Sequence, residues 1–122
     1  MDYQSRVFWH REKNKKILIA DYSGLIGDDL MGVFNISYNT QKTAGTNVLL
    51  LTEFTDAKAN DEIVNALKKA GKELDQDMKK IAVVGLTTIQ RIIYQGYIRF
   101  TGQSDKVHLF NNRTEAIQWL VS

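Results

Sequence analysis

The sequence predicts a single α/β domain over residues 1–122, with the element order β-β-α-β-α-β-α-β-α. Short, unbroken apolar runs, which are typical of buried strands, alternate with segments whose apolar residues recur every three or four positions, as in amphipathic helices. The chain has 122 residues, the length of one ordinary domain. Apolar residues make up 43% of it and charged residues 25%, a balance that excludes a disordered chain.

The first two strands are expected to form a hairpin within residues 5–22. Val7 and Trp9 alternate with their neighbours, and residues 17–20 form a continuous apolar run. Asn14 lies between the two segments and tolerates the positive φ that a tight hairpin turn requires. We therefore expect an antiparallel pair at the start of the sheet.

A helix is predicted from about residue 28 to residue 42, because Leu30, Phe34 and Tyr38 recur every four residues. Residues 47–53 then form an apolar run that suits a strand buried on both faces.

Asn60 opens a second predicted helix, and residues 81–86 form the next buried strand. The apolar stripe of this helix is Ile63, Leu67, Ala70 and Leu74.

The third predicted helix begins at a capping box formed by Thr87 and Gln90. The face expected to pack on the sheet consists of Ile89, Ile92, Ile93, Gly96, Tyr97 and Phe100. Tyr94 and Ile98 fall on the other side near Arg91, where a surface helix normally keeps polar residues. Because tyrosine and arginine are enriched at interface centres, Arg91, Tyr94 and Ile98 are the predicted contact face, either a dimer or partner surface or a lid over an apolar pocket. Scattered apolar residues on the surface are the ordinary alternative.

A short strand at residues 106–110 precedes a second capping box, formed by Asn112 and Glu115, and a last helix. The residues expected to be buried by this helix are Ala116, Ile117, Trp119 and Leu120. After the hairpin, each strand is joined to the next by a helix, which predicts parallel strands with right-handed crossovers.

Five segments, taken in their order along the chain, resemble the SpoIIAA-like superfamily, which includes STAS domains and small stand-alone bacterial proteins. The segments are KILIADYSGL (16–25), VLLLTEFTDA (48–57), KKIAVVGL (79–86), IRFTG (98–102) and VHLFNNRTEAIQWL (107–120). The resemblance implies a βα superhelix with a sequential, mostly parallel five-stranded sheet and four helices mainly on one face. Some distant relatives bind lipids or nucleotides.

The resemblance also implies a possible phosphorylation site. Better-studied relatives are anti-sigma-factor antagonists with a phosphorylatable serine in an Asp-Ser-Ser-Gly motif after the third strand. The matching segment here, residues 54–58, has neither serine nor glycine, and Thr55 is its one hydroxyl residue. A phosphoswitch would therefore have to use Thr55.

Composition excludes several kinds of chemistry. The chain has no cysteine and two histidines, His10 and His108, so disulfides, thiolate catalysis and His-rich metal sites are not expected, and no cofactor is predicted. Its apolar runs are far shorter than the roughly 20 residues that span a bilayer. Because residues 1–4 lack the start of a signal peptide, we expect a cytoplasmic protein.

Charge is unevenly distributed, with an acidic section between two basic ones. Asp21 and Glu53 end two neighbouring strands and Asp56 follows, so the three carboxylates should meet at one sheet edge. They offer oxygen ligands for a hard cation or a pair for acid–base catalysis. Carboxylates at helix starts and solvated loop ends are the ordinary alternative.

The basic hairpin at residues 11–16 offers a contact for an acidic partner or a membrane surface, although lysines at an edge strand usually serve to prevent strand pairing. The chain lacks the high net charge and the reading element of a nucleic-acid-binding protein, so a nucleic-acid partner is not expected.

The sequence thus favours a non-enzymatic regulatory or binding module. It would act through a protein partner, a second copy of itself, or a small apolar ligand or lipid. The alternative is a metal-dependent or acid–base enzyme that uses Asp21, Glu53 and Asp56.

Overall fold

The computed structural model describes residues 1–102 and 105–122, with the backbone alone for Phe100 and Thr101. Its elements are β1 (Val7–Glu12), β2 (Lys15–Asp21), α1 (Asp28–Ala44), β3 (Val48–Glu53), α2 (Asp61–Glu73), β4 (Met78–Val84), α3 (Thr88–Thr101), β5 (Val107–Phe110) and α4 (Arg113–Leu120). This order confirms the predicted one. Within the described ranges, no helix is both long and apolar enough to cross a membrane.

The five strands lie side by side in chain order, β1-β2-β3-β4-β5. β1 pairs with β2 in the antiparallel direction, and the remaining neighbours are parallel. Lys13 and Asn14 form the hairpin turn with φ of 48° and 63°, which is the left-handed conformation that asparagine tolerates. The predicted hairpin and mostly parallel sheet are confirmed.

Three helices cover one face of the sheet and the fourth covers the other, as expected. Beneath α1, α2 and α3 lies a core that includes Tyr22, Leu30, Phe34, Phe54, Ile63, Val83 and Ile98. Beneath α4 lies a second core that includes Ile17, Ile19, Leu51, Val84, Ala116 and Leu120. Because both faces are covered, β3 is buried along almost its whole length.

Three helices begin where the capping residues predict. Asn60 Oδ1 accepts a hydrogen bond from the backbone N–H of Ile63 at 2.9 Å, and Asn112 caps α4 in the same way. Thr87 and Gln90 form the complete, reciprocal capping box at the start of α3. These caps fix where each helix starts but not which face it turns to the sheet.

The face that α3 turns to the sheet differs from the prediction. Ile98 is 5% exposed in the core, and Tyr94 packs against that core. Ile89, Ile92 and Ile93, expected to be buried, are instead 71%, 66% and 60% exposed. The predicted exposure of Tyr94 and Ile98 is therefore wrong, and the outer face of α3 is the isoleucine side.

The physical reason is that α3 is apolar on both sides, so its periodicity fits two orientations. The observed one places Ile98 beside the core residue Val107. It also lets the Arg91 guanidinium donate to Asn111 Oδ1 at 3.0 Å and the Tyr97 hydroxyl donate to the Lys68 carbonyl at 3.0 Å. The predicted burial of Phe100 lies outside the described side chains.

Candidate functional site

Two of the three strand-end carboxylates come together. Asp21 and Glu53 are direct partners in the parallel β2–β3 pairing. Arg113, in the first turn of α4, lies between them, with Nε 2.7 Å from Glu53 Oε1 and Nη2 3.5 Å from Asp21 Oδ2. Arg6 Nη1 lies 4.0 Å from Asp21 Oδ1 and donates to the Ser23 carbonyl at 2.8 Å. This edge is an ion-pair network that joins α4 and the N-terminal segment to the sheet.

Asp56 does not join this network. It is exposed, with φ of 60°, and lies in the turn that follows β3. Among the residues that the structure describes, no group of three or more His, Cys, Asp or Glu is placed to hold a metal ion. The carboxylates of Asp21 and Glu53 face arginines, an arrangement that balances their charge within the fold.

Thr55 is exposed on the loop after β3, close to Gly85. Gly85 has φ of +82°, and a Cβ there would overlap the Thr55 hydroxyl and backbone nitrogen. The Thr55 carbonyl accepts from the Gly24 N–H at 3.0 Å, which holds the loop in place. Phosphorylation of Thr55 stays a prediction.

Both histidines contact structural neighbours. His10 Nε2 lies 3.2 Å from Glu12 Oε1, near the hairpin turn. The His108 ring stacks on Trp119 of α4, with centroids 4.4 Å apart. Neither contact is the histidine–nucleophile pair of a hydrolase.

The outer side of α3 carries a continuous exposed apolar surface, which we call the α3 face and define as Ile89, Ile92, Ile93 and Gly96. Their spacing of three, four and seven residues places them on one side of the helix. The three isoleucines are 60–71% exposed, and a Cβ added to Gly96 would meet no atom within 4 Å. A surface helix normally keeps this side polar, so the α3 face requires an explanation.

A narrow groove of about 160 Å³ runs between α2 and α3, beside the α3 face. Phe54 and Val83 of the core lie at its base, Leu67 and Tyr94 form its walls, and Ile93 belongs to both groove and α3 face. We call it the α2–α3 groove. Pockets for drug-sized ligands occupy roughly 300–1,000 Å³, so this groove suits a short alkyl chain or one apolar side chain.

Tyr94 and Leu67 line both the groove and a smaller cavity of about 50 Å³, which Ser37, Gln41 and Thr52 help to line. Burial, with a smaller contribution from the neighbouring Tyr97, raises the pKa of Tyr94 to about 12. The phenol is neutral at physiological pH, as a tyrosine of ordinary pKa also is, so Tyr94 adds no charge to the wall of the groove.

Of the three residues predicted as the contact face, Tyr94 contributes to the groove from the inside. Ile98 lies in the core, and Arg91 is held by Asn111 on the side towards β5. The sequence predicts that Ile89, Ile92 and Ile93 lie in the core, because isoleucines at helical spacing usually do. Gly96 is the signal that pointed the other way, since glycine adds nothing to a packed helix face.

The chain matches a solved structure along almost its whole length. This is the 2.25 Å crystal structure of an uncharacterised protein of the DUF3478 family from Shewanella loihica PV-4, described as having a SpoIIAA-like fold. The two share 16% sequence identity with a TM-score of 0.69, over 93% of this chain and 91% of the other. No protein-family model matches the chain, and a search of curated proteins gave no significant match. The likeness establishes a SpoIIAA-like fold.

Proposed function

We propose that this SpoIIAA-like domain is a non-enzymatic binding module whose binding surface is the α3 face together with the α2–α3 groove. The occupant is a small apolar or amphipathic ligand, or apolar side chains of a protein partner. The observation that carries the proposal is the exposure of three isoleucines on one side of a single helix. If a module of this size is regulatory, the occupied and the empty surface would be its two states.

The energetics favour an occupied surface. Burying an exposed isoleucine side chain contributes roughly 1.5–3 kcal/mol. Ile89, Ile92 and Ile93 adjoin one another, so one occupant would cover them together. Large contiguous apolar patches on monomers commonly mark binding sites, whereas isolated surface isoleucines do not.

The α2–α3 groove adds shape and polarity to this surface. Its apolar walls suit an alkyl chain, and Lys68 at its rim provides a positive charge for the anionic head of an amphipathic ligand.

The enzyme alternative receives less support. Asp21 and Glu53 are paired with Arg113, and an acid or base that must exchange protons with a substrate would need freer access. The expected cytoplasmic location remains a prediction.

Calorimetric titration with dodecanoate tests the proposal. The wild type should bind, whereas the double variant Ile92→Ser, Ile93→Ser should lose at least about tenfold in affinity, because roughly 1.4 kcal/mol corresponds to that factor. The matched control is Ile26→Ser, since Ile26 is 58% exposed but lies before α1, outside α3. An equal loss in both variants, or no binding by the wild type, would contradict ligand binding at this surface.

A further inference from the structure

The edge of the sheet at which β2, β3 and β4 begin carries a concave surface, which we call the basic cleft. Its volume of about 500 Å³ is within the range of small-molecule sites. Its walls come from the β1–β2 hairpin, the loop between α1 and β3, and the beginnings of β3 and β4. Among the described residues, the charged side chains that line it are all basic: Arg11, Lys15, Lys16 and Lys79.

Like charges repel one another at two places along this edge. The β1–β2 register puts Arg11 directly opposite Lys16, a cross-strand pair that destabilises a sheet. Burial, and then repulsion from Lys15 and Lys79, lowers the pKa of Lys80 beside the cleft. Within the described chain, none of these five residues is within ion-pair distance of an aspartate or glutamate.

Two of the lysines have a structural role at the C-terminal end of α4. The Lys15 ammonium donates to the Val121 carbonyl at 3.2 Å, and the Lys80 ammonium donates to the Trp119 carbonyl at 2.9 Å. Basic side chains commonly satisfy the last carbonyls of a helix in this way. Lys15 and Lys80 therefore need no further partner.

The other three basic side chains have no such role. In the described part of the chain, Arg11 and Lys79 make no side-chain hydrogen bond or ion pair, and Lys16 Nζ lies 4.7 Å from the centroid of the Trp9 ring. Lysines at an edge strand prevent strand pairing, but Lys79 belongs to β4, which lies inside the sheet. Edge protection therefore does not account for the cluster.

The negative groups nearby do not offset these three charges. Glu12 lies 3.2 Å from His10 on the other face of the hairpin, and Asp75 is paired with Lys106. Asp77 immediately precedes β4 and does not line the cleft. The C-terminal end of α1 does reach the cleft, and it contributes about half a negative charge. Even with Asp77 and this helix end counted in full, positive charge is in excess.

From these features we propose that the basic cleft binds a soluble anion with linked phosphate groups. Arginine and lysine are well suited to phosphate oxygens, and an anion between Arg11 and Lys16 would replace their repulsion by attraction. Neighbouring strands are about 4.8 Å apart, so β1 and β4 are separated by roughly 14 Å, a span that suits two or three linked phosphates better than one. The cleft is separate from the α3 face, so the inference does not rest on the function proposed above.

Calorimetric titration with inorganic triphosphate in low-salt buffer tests the proposal. The wild type should bind triphosphate at least about tenfold more tightly than orthophosphate, because the longer anion reaches more of the cations. The affinity should fall as added sodium chloride screens the charges.

Variants that remove equal charge locate the site. The double variant Arg11→Gln, Lys79→Gln should lose at least about tenfold in triphosphate affinity, since both side chains contact the anion directly. The matched control is Lys58→Gln, Lys69→Gln, in which both lysines are exposed and lie outside the cleft. The control should lose less than about twofold, because the distant charges are screened. Circular dichroism confirms that each variant is folded before affinities are compared.

The proposal is overturned if triphosphate does not bind the wild type, or binds no more tightly than orthophosphate. Equal losses in the two double variants would show attraction by net charge without a site. If triphosphate fails but phosphatidylglycerol vesicles or polyglutamate bind in a manner that depends on Arg11 and Lys79, the cleft contacts a membrane or an acidic protein instead, and the phosphate anion is wrong.

Discussion

At the scale of single residues, Arg113 joins three parts of the fold. Its guanidinium contacts Glu53 at the end of β3 and Asp21 at the end of β2, and it belongs to the first turn of α4. The side chains of Glu53 and Asp21 are 16% and 23% exposed, so removing the arginine would leave two like charges side by side and partly desolvated.

We predict that Arg113→Gln lowers the free energy of unfolding by about 1–2 kcal/mol, a range discounted for the partial exposure of the pair. Urea denaturation measures the change. Adding Glu53→Gln should recover part of the loss, because one of the two repelling charges is removed. Arg11→Gln is the matched control, since Arg11 is exposed and should change stability by less than about 0.5 kcal/mol. Equal effects at both arginines would contradict a structural role for Arg113.

The buried tyrosines predict a loss of stability at alkaline pH. Burial raises the pKa of Tyr94 to about 12 and also raises that of Tyr22. The unfolded chain deprotonates first, near the ordinary tyrosine pKa of about 10, so each tyrosine lowers stability by up to about 1.4 kcal/mol per pH unit above that value. Between pH 10 and 12 the wild type should lose stability more steeply than Tyr94→Phe, measured by urea unfolding. Identical slopes would show that the Tyr94 phenol is not desolvated.

At the scale of elements, α3 shows where sequence patterns are insufficient. Thr87 and Gln90 predicted where the helix starts, because a cap depends on local backbone geometry alone. Its orientation depends on which side chains fill the space beside Val107 and α2, and that information is not local. Periodicity alone does not distinguish two apolar stripes on one helix. α2 has one such stripe, and its buried face was predicted correctly.

Substitutions on opposite sides of α3 test this orientation. Ile98→Ala should lower the free energy of unfolding by about 2–5 kcal/mol, because it leaves a cavity in the core. Ile92→Ala, at an exposed position, should change it by less than about 0.5 kcal/mol. Thermal or urea denaturation of the two variants gives the comparison, and the reverse order of effects would restore the orientation predicted from the sequence.

A pair of glycines in two helices provides a second test. Gly96→Ala should stabilise the fold by about 0.5–1 kcal/mol, because the added methyl group meets nothing and alanine favours helix. Gly32→Ala in α1 should destabilise it, since a Cβ there overlaps the Tyr3 ring. Melting temperatures should shift in opposite directions. Destabilisation by Gly96→Ala would indicate that Gly96 is needed within the molecule, which would remove the reason for assigning it to an outside contact.

At the scale of the whole molecule, the order and direction of the strands were predictable because each depends on robust patterns. Apolar runs such as residues 48–51 identify buried strands, and helices between them require parallel crossovers. The strand-end meeting of Asp21 and Glu53 followed from the same topology. The position of Arg113 between them could not be predicted from this topology, since Arg113 belongs to a helix and lies 60 residues after Glu53 in the chain.

The charge pattern of the whole chain distinguishes the two candidate sites, the strand ends and the α3 face. The acidic section predicted from the sequence supplies Asp21 and Glu53, which the fold pairs with arginines. The basic section that follows supplies Lys68, which lines the α2–α3 groove beside the α3 face instead. We therefore propose that the molecule binds through α3 and not through the strand ends.

Methyl NMR of isoleucine-labelled protein tests that claim most directly, because isoleucines lie both on the α3 face and in the core. On titration with dodecanoate, the δ1 methyl signals of Ile89, Ile92 and Ile93 should shift. Those of Ile17 and Ile19, buried under α4, should stay in place. Unchanged α3 signals, or shifts confined to residues outside α3 such as Ile26, would contradict binding at the α3 face.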